Sequence, residues 1–368
     1  MLRLLTFNIS GGNVSALSPP GFGLTEKYAA IVELVRRHAP HIVALQEVPE
    51  SRPLAAQLAD ALADSTHGPP YKLAASTESH CGLCQVFVQK RLRATGGKDV
   101  GPIVLCKIPL PLPPEPDSGD GSGSSGGDAE PEAAAPAAAA GDEASEAAAG
   151  APAVAAAANG NVESATEAAA AGGTAAGAPG AAGGGKRAYP YYLYVAGCHL
   201  EPFAEGADYR LAQINMVMRE VPPRAHFVLA GDTNMRVKEN AAVESRGLVD
   251  AWQQVGAPRA QAYSWNTQVN HYHGPGAHEY IARYDRIYVR GLEATSYQLV
   301  ANEPLTDAGD FLSDHFGLLC ELRVPPGPVA SPPPNRGAAT AAAAKRQRLS
   351  PSAGGAAAAG HPPARLFV

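Results

Sequence analysis

Polar side chains that could carry out catalysis follow short apolar runs at six places in the chain. The polar groups are carboxylates, amides and imidazoles, which bind metals, move protons or stabilise charge. In the stretch "HFVLAGDTNMR", an acid, an amide and a guanidinium stand at every second position directly after the apolar run. The six places are Asn8, Glu47, His199, Asp232 with Asn234, Asp285, and Asp314 with His315.

Taken one at a time, these residues also have structural explanations. The Ser10-Gly11-Gly12 sequence that follows Asn8 favours a turn-forming role for this residue. A histidine beside a strand, such as His199, is more often structural than catalytic. Glu47 is different, because it directly follows an apolar run, where an unpartnered carboxylate is costly to bury. Six coincidences of this kind are a poor explanation, so the residues together favour one polar cleft.

The types of residue in the set indicate the chemistry of such a cleft. Carboxylate and amide oxygens without a cluster of cysteine and histidine ligands suit Mg²⁺ or Mn²⁺ and argue against zinc. A divalent ion held by one or two carboxylates leaves positions for water and phosphate oxygens. Nearby imidazole and amide groups can stabilise charge on a phosphoryl group. The set therefore predicts metal-assisted hydrolysis of a phosphate ester.

The apolar runs before these residues predict strands, and the segments between them predict helices. Apolar residues recur at helical spacing in residues 27–40, 54–64 and 209–221. In an extended chain, residues two apart point to the same side, so Asp232 and Asn234 are predicted to face one pocket. Strands that lie side by side would bring the six places to a common rim.

Two segments differ in composition from the rest of the 368 residues. Residues 111–187 are an acidic insertion rich in alanine and glycine, and residues 325–368 form a basic tail. Both have too few apolar side chains to offset the entropy of ordering, so we predict that they are disordered. Residues 1–110 and 188–324 then form a single catalytic domain.

Charge does not identify a partner for this domain. Residues 108–185 hold 11 acids and residues 325–368 hold 5 bases, and subtracting them from totals of 35 and 29 leaves 24 of each sign. A nucleic acid would therefore have to bind a local basic patch.

Cysteine usage and targeting signals bear on the compartment. The five cysteines are an odd number, and we expect no secretory signal and no membrane span, which favours free thiols in a reducing compartment. Cys81 and Cys84 lack a second ligand pair at zinc-site spacing, so buried thiols are the favoured interpretation. The basic run 345–348, followed by Ser350-Pro351, predicts import into the nucleus, with the cytoplasm as a second location.

Five short motifs resemble those of the endonuclease/exonuclease/phosphatase superfamily. They are "TFN", "LQEV", "HLE", "GDTN" and "SDH", in this order and at similar spacings. The resemblance implies an α/β fold, a four-layer α/β sandwich of two packed β-sheets flanked by helices, which the insertion interrupts. Longer stretches, "GDTNMR", "YSWNTQ", "RYDRIYVR" and "SDHFGLLCEL", are similar to the type 2 5′-tyrosyl-DNA phosphodiesterases. Members of that family use Mg²⁺ or Mn²⁺ to hydrolyse the bond between tyrosine and a 5′ DNA end.

The resemblance implies a role for each matching residue. Glu47 would ligate the metal with support from Asn8 and Asp314, and Asp232 would position or deprotonate the attacking water. The remaining roles concern phosphate and DNA: Asn234 would orient water and phosphate, His315 would stabilise phosphoryl oxygens, His199 would join the phosphate site, Asp285 would orient a histidine, and Arg236 and Trp265 would contact the substrate strand, Trp265 by stacking.

The implied function is removal of type II topoisomerase remnants from single-stranded 5′ ends of DNA during repair, by a monomer that needs no membrane. Two alternatives stay open: another superfamily phosphodiesterase or phosphatase that acts on RNA or a phospholipid head group, and a non-catalytic nucleic-acid-binding module. The chain departs from the family at Pro202-Phe203-Ala204, where Ser-Thr and an Arg are usual, and at Cys81-Gly82, where a Tyr is common. The departures concern contacts to the substrate more than the hydrolytic groups.

Overall fold

A computed structural model describes residues 1–112, 191–274, 276, 278–327 and 329. Most of the predicted insertion, most of the tail and the basic run 345–348 lie outside these residues, so the predictions about them stay predictions. Among the described residues, no helix has the length and apolar character needed to cross a bilayer.

Fourteen strands are formed by the described residues. In chain order they are β1 (Leu2–Asn8), β2 (Ile42–Val48), β3 (Tyr71–Ser79), β4 (Gly82–Gln89), β5 (Thr95–Val100), β6 (Ile103–Leu110), β7 (Tyr191–His199), β8 (His226–Asp232), β9 (Val249–Asp250), β10 (Trp265–Asn266), β11 (Ile281–Ala282), β12 (Asp285–Arg290), β13 (Glu293–Val300) and β14 (Gly317–Arg323).

Five α-helices connect the described strands. They are α1 (Leu24–His38), α2 (Arg52–Ala63), α3 (Ala207–Glu220), α4 (Asn240–Glu244) and α5 (Ala251–Gln254). Helix α1 begins earlier than predicted, because the Glu26 side chain accepts a hydrogen bond of 2.9 Å from the backbone N–H of Gly23 and so satisfies a donor at the start of the helix.

The strands build two six-stranded mixed sheets. The first has the order β13-β14-β1-β2-β4-β3, the second has the order β5-β6-β7-β8-β12-β9, and β10 and β11 form a separate two-stranded ribbon. Strand β6 pairs with β7 up to the register Leu110 with Tyr191, so residues on either side of the insertion are neighbours in one sheet.

Apolar contacts stack these elements in four layers. One cluster fills the space between the sheets with residues such as Leu4 and Val228, which belong to different sheets. A second cluster packs α1 and α2 on the first sheet, and a third places Ile214 of α3 on the second sheet. Because the central strands are buried on both faces, they are continuous apolar runs. The structure thus confirms the α/β fold class.

The six places meet at one rim, but not all of them end a strand. Strands β1 and β2 are parallel, as are β7 and β8, so their carboxyl ends share an edge. The prediction that Asp285 and Asp314-His315 end strands is wrong: Asp285 begins β12, and the other two precede β14. Both strands run antiparallel to a central neighbour, which brings their starts to the same rim.

Candidate active site

Sheet register places three of the predicted residues side by side. His199 lies opposite Asp232 in the parallel pair β7–β8, and Asp232 lies opposite Asp285 in the antiparallel pair β8–β12. All three are at most 2 % exposed. In the other sheet, Asn8 lies opposite Gln46, one residue before Glu47.

The side chain of Asn8 joins the two sheets. Its Nδ2 donates to Oε1 of Glu47 and to Oδ2 of Asp232, each over 3.0 Å. Its Oδ1 accepts the backbone N–H of Ser10 over 3.1 Å, which fixes the orientation of the amide. Asn8 therefore holds two carboxylates at a set separation, and its oxygen is already engaged within the protein.

Glu47 sits at a strained point of β2. Its φ is +55°, and the pairing with β4 shifts register between Leu45 and Val48. The Gly11 N–H donates to the Glu47 carbonyl over 2.9 Å, and a Cβ at Gly11 would lie only 2.2 Å from that oxygen. A bulge braced in this way re-aims a side chain that a regular strand would point elsewhere.

Burial raises the pKa of Glu47 to about 7, although the Asn8 hydrogen bond lowers it and Asp314 raises it further. The charged form of this carboxylate is therefore costly in the metal-free protein. Its side chain is still 25 % exposed, so it is open to an ion from solvent.

A second carboxylate holds His315 in place. Nδ1 of His315 lies 2.7 Å from Oδ2 of Asp285, and its Nε2 lies 3.7 Å from Oδ2 of Asp232. Burial alone would lower the pKa of His315, but Asp285 and Asp232 raise it well above its usual value. The imidazole is thus held by Asp285, with its Nε2 turned toward Asp232 in the cleft.

His199 faces the same carboxylate from β7. Its Nε2 lies 3.5 Å from Oδ2 of Asp232 and 4.0 Å from Oε1 of Glu47. Ser79 Oγ lies 3.5 Å from Nδ1, and the ring of His80 packs against the imidazole with centroids 4.2 Å apart. Burial lowers the pKa of His199, and Asp232 opposes this.

Asp314 forms a pair of its own with a histidine. Its Oδ2 lies 3.0 Å from Nε2 of His273, and the His273 side chain is 50 % exposed. Ser313 Oγ donates to the Asn8 carbonyl over 2.7 Å, which places Asp314 next to the end of β1.

The chain is not extended from Asp232 to Asn234, so the prediction that the two side chains face one pocket as in a strand does not apply. Strand β8 ends at Asp232, and Asn234 takes a left-handed conformation with φ of +50°. Its N–H donates to Oδ1 of Asp232 over 2.9 Å, and its Nδ2 donates to the Leu200 carbonyl over 3.1 Å. The amide ties the ends of β7 and β8 together, and its role toward phosphate stays a prediction.

The two predicted DNA contacts lie beside aromatic rings. The guanidinium of Arg236 lies 4.9 Å from the centroid of the Tyr284 ring and donates to the Asn234 carbonyl. Trp265 meets His315 edge-on at 4.8 Å and stacks on Tyr280 at 5.9 Å. The indole thus helps to wall in His315, and its contact with a substrate strand stays a prediction.

The donors at the rim fit a divalent metal ion. Three residues, Asp232, Asp285 and His315, have potential ligand atoms within 4.8 Å of one another. The hydrogen bond between Asp285 and His315 engages one such atom of each, whereas Glu47 is partly open and burial disfavours its charged form, which a nearby cation would stabilise. We therefore favour Glu47, with Asp232 and Asp314 nearby, as the oxygen-rich place for an ion.

A family model described as Endonuclease/Exonuclease/phosphatase matches residues 5–315. The chain belongs to this family. Among curated relatives, "Tyrosyl-DNA phosphodiesterase 2" of Mus musculus is 38% identical over an alignment of 138 residues and is matched by 34% of this chain, over 36% of its own length. The Homo sapiens protein of the same name is 37% identical over an alignment of 137 residues, with 34% of this chain and 37% of the relative covered. The match thus spans about a third of the length of these relatives.

Two solved structures titled TDP2 share the fold. A D. rerio TDP2 structure, titled as complexed with single strand DNA product, aligns with a TM-score of 0.54 at 18% identity and covers 88% of this chain and 99% of that chain. A C. elegans TDP2 structure aligns with a TM-score of 0.53 at 18% identity, over 87% of this chain and 74% of that chain.

Sequence reasoning missed a buried lysine of helix α1 that lies beside the rim. Lys27 is 1 % exposed and its Nζ donates to the carbonyls of Ser10 and Asn13 and to the Tyr272 hydroxyl, over 2.8, 2.6 and 2.8 Å. Burial lowers the pKa of Lys27 to about 7, and Asp314 acts in the opposite direction. The only signal for this cation was a lysine among the apolar residues of a helix.

Proposed function

We propose that this protein is a Mg²⁺-dependent phosphodiesterase that hydrolyses the 5′-phosphotyrosyl bond of DNA and leaves a 5′ phosphate. The strongest support is the arrangement of His199, Asp232 and Asp285, which lie side by side in one sheet. Glu47 lies beside this row, and Asp285 holds His315. The chain also belongs to the endonuclease/exonuclease/phosphatase family. The names of the curated relatives favour the phosphotyrosyl substrate.

In the proposed reaction, Asp232 acts on the attacking water. Its carboxylate is fixed by Asn8 at Oδ2 and by the backbone N–H of Asn234 at Oδ1. A carboxylate held on both oxygens loses little entropy when it orients a water molecule. Asp232 takes the proton as the water oxygen bonds to phosphorus.

Two imidazoles stabilise charge on the phosphoryl group. His315 has its Nδ1–H engaged by Asp285, so Nε2–H is free to donate to a phosphoryl oxygen. His199 presents Nε2 to the same cleft, 3.5 Å from Asp232. Fixed donors in a buried cleft stabilise developing charge without having to reorganise.

The leaving group suits this set of residues. Breaking the phosphorus–oxygen bond releases tyrosine as a phenolate, whose conjugate acid has a pKa of about 10. The phenolate then takes a proton from solvent. When bound at Glu47, a divalent ion would supply charge neutralisation at the phosphate and lower the pKa of a bound water.

We extend the proposal to the biology of the substrate. The DNA would be a single-stranded 5′ end that carries a tyrosyl remnant of a type II topoisomerase, and the protein would act as a monomer in DNA repair. The run 345–348 supports a nuclear location, with the cytoplasm as a second one.

A synthetic oligonucleotide with a 5′-phosphotyrosine tests the proposal. The full chain should release a 5′-phosphorylated strand in Mg²⁺ and not in EDTA. Glu47→Gln and Asp232→Asn should each lower kcat by about 10²- to 10³-fold while still binding the strand. Glu303→Gln, at an exposed carboxylate, is the matched control.

Other outcomes would point to other functions. Hydrolysis only of an RNA or a phospholipid head group would assign the chain to another substrate of the superfamily. Binding of DNA without hydrolysis of any of these in Mg²⁺ or Mn²⁺ would indicate a non-catalytic module. Unchanged cleavage by Glu47→Gln would refute the assigned residues.

A further inference from the structure

Phe203 combines two unfavourable features. Its side chain is 57% exposed, and its backbone has φ of +63° and ψ of +161°, a region that suits glycine and not a bulky residue. The residue follows strand β7, four positions after His199. An exposed aromatic ring on a strained backbone contributes little to folding, so a functional explanation is needed.

A buried arginine holds the Phe203 backbone in this conformation. Arg210 is 0 % exposed, and its NH1 donates to the carbonyls of Glu201 and Phe203 over 2.9 and 2.6 Å. Its Nε and NH2 bind Glu239 in a bidentate pair, over 2.9 and 2.7 Å. A Cβ at Gly206 would come within 3.0 Å of NH1, so the glycine leaves room for the guanidinium. The loop is therefore fixed from inside the protein.

The same network fixes this loop against the active-site rim. Oε1 of Glu239 also accepts the backbone N–H of Arg236 over 3.0 Å. Leu200 donates its N–H to the Asp232 carbonyl over 2.9 Å and accepts from Asn234 over 3.1 Å. The Phe203 loop and the Arg236 loop are thus neighbours braced on one ion pair.

The surroundings favour a nucleobase as the group that covers the ring. The ring follows His199 by four residues, and its loop is braced together with the Arg236 loop, so an unpaired base of a strand bound at the cleft is the group placed to stack on it.

We propose that Phe203 is a stacking platform for an unpaired base of the substrate strand, presented by the Arg210–Glu239 pair beside Arg236. The inference rests on the proposed function for its substrate class. It also explains a departure from the family, because the chain would bind by stacking at a place where relatives have small polar residues.

Binding of single-stranded DNA tests the platform without turnover. The probe is a fluorescein-labelled oligonucleotide with a 5′ phosphate, titrated in EDTA and followed by anisotropy. Phe203→Ala should raise Kd about tenfold, and Phe203→Trp should restore it. The matched control is Tyr209→Ala, which removes an exposed ring from the adjacent helix and should change Kd by less than about twofold.

Two further readouts separate stacking from a structural role. An abasic site at one of the first four nucleotides should abolish the difference between the wild type and Phe203→Ala. The slope of log Kd against log salt should stay the same, because no charge is removed. Phe203→Gly should lose affinity like the alanine variant but keep or raise the unfolding midpoint, because glycine relieves the backbone strain.

Several results would overturn the inference. They are absence of DNA binding by the wild type, failure of Phe203→Trp to recover wild-type affinity, unfolding of Phe203→Gly, or an equal loss of affinity in Tyr209→Ala, which would show that the effect is not specific to Phe203. The proposed function fails separately: if the wild type does not cleave phosphotyrosyl DNA but the binding results hold, the platform stands and the assigned reaction does not.

Discussion

Two histidine–carboxylate pairs flank the cleft, and they differ mainly in burial. His315 and Asp285 meet over 2.7 Å with side chains 6% and 0% exposed. His273 and Asp314 meet over 3.0 Å with side chains 50% and 15% exposed. The first pair joins Asp285, the first residue of β12, to the segment before β14, and the second joins a loop residue, His273, to the same segment.

The contrast shows how burial sets the value of one kind of interaction. A pair excluded from water is strongly coupled, because the local dielectric is low and no solvent competes. A half-exposed pair is screened and contributes little to stability. We therefore expect the buried pair to control the chemical step. We expect the exposed pair to orient the Asp314 carboxylate toward a bound metal ion.

The largest effect is expected from Asp285→Asn. Asp285 is the first of the carboxylates that raise the pKa of His315 against the effect of burial, so removing this charge lowers that pKa. We expect kcat to fall on the order of 10³-fold, and the limb of the pH profile that reports protonated His315 to shift to lower pH. Steady-state kinetics from pH 5 to about 9 would measure both.

Asp310→Asn is the control for this variant. Asp310 is also 0 % exposed and lies shortly before Asp314, but it bonds to Thr306 and not to a histidine. We expect a change in kcat of less than about fivefold. Equal losses of kcat in Asp285→Asn and Asp310→Asn would show that replacing a buried aspartate lowers activity whether or not it binds a histidine.

A smaller effect is expected from His273→Ala. The histidine orients Asp314, so its loss should weaken activation by Mg²⁺ about tenfold while kcat at saturating metal falls less. A titration of activity against Mg²⁺ concentration would measure this. A loss of kcat as large as that of Asp285→Asn would mean that burial does not distinguish the pairs.

The free energy of unfolding should depend on pH in a way that reports on the exposed pair of His273 and Asp314. In the metal-free protein, burial acts to raise the pKa of Asp314, but the hydrogen bond with His273 outweighs it and the pKa is lowered. The same hydrogen bond raises the pKa of His273. The aspartate's contribution is lost as pH falls below roughly 4, and the histidine's is present below roughly 6.5 and lost as pH rises through the raised pKa.

The difference in unfolding free energy between the wild type and His273→Ala should therefore peak between roughly pH 4 and 6.5. It should stay below about 1 kcal/mol, because the pair is half exposed. Urea unfolding in EDTA across this range would measure it. A difference that grows steadily toward pH 9 would contradict the assigned directions.

The smallest effect is expected from deleting residues 119–183, which touches neither pair. Strands β6 and β7 still pair up to Leu110 and Tyr191, so the sheet should close as before. Because closure entropy grows slowly with loop length, kcat should change less than about twofold and stability by no more than about 1–2 kcal/mol. Loss of soluble protein would count against the domain boundaries.

Sequence reasoning predicted the central strands because they are buried on both faces. The runs that end at Asn8 and Asp232 are continuous apolar stretches, and the parallel pairing then brings their ends together. It missed edge strands such as β5, which is polar and mostly exposed. It also misplaced Asp285 and Asp314 relative to their strands, because the apolar residues that form β12 and β14 come after these two aspartates in the chain.

The sequence by itself determined the family, the fold class and which polar residues reach the rim, since those follow from ordered motifs and apolar runs of strand length. Only the tertiary structure decided the pairing: Asp285 with His315, His273 with Asp314, and Arg210 beneath Phe203. Such contacts join residues 7 to 41 positions apart through loops and sheet register. Hydrogen bonds of this kind depend on a few tenths of an ångström, which packing sets and residue spacing does not.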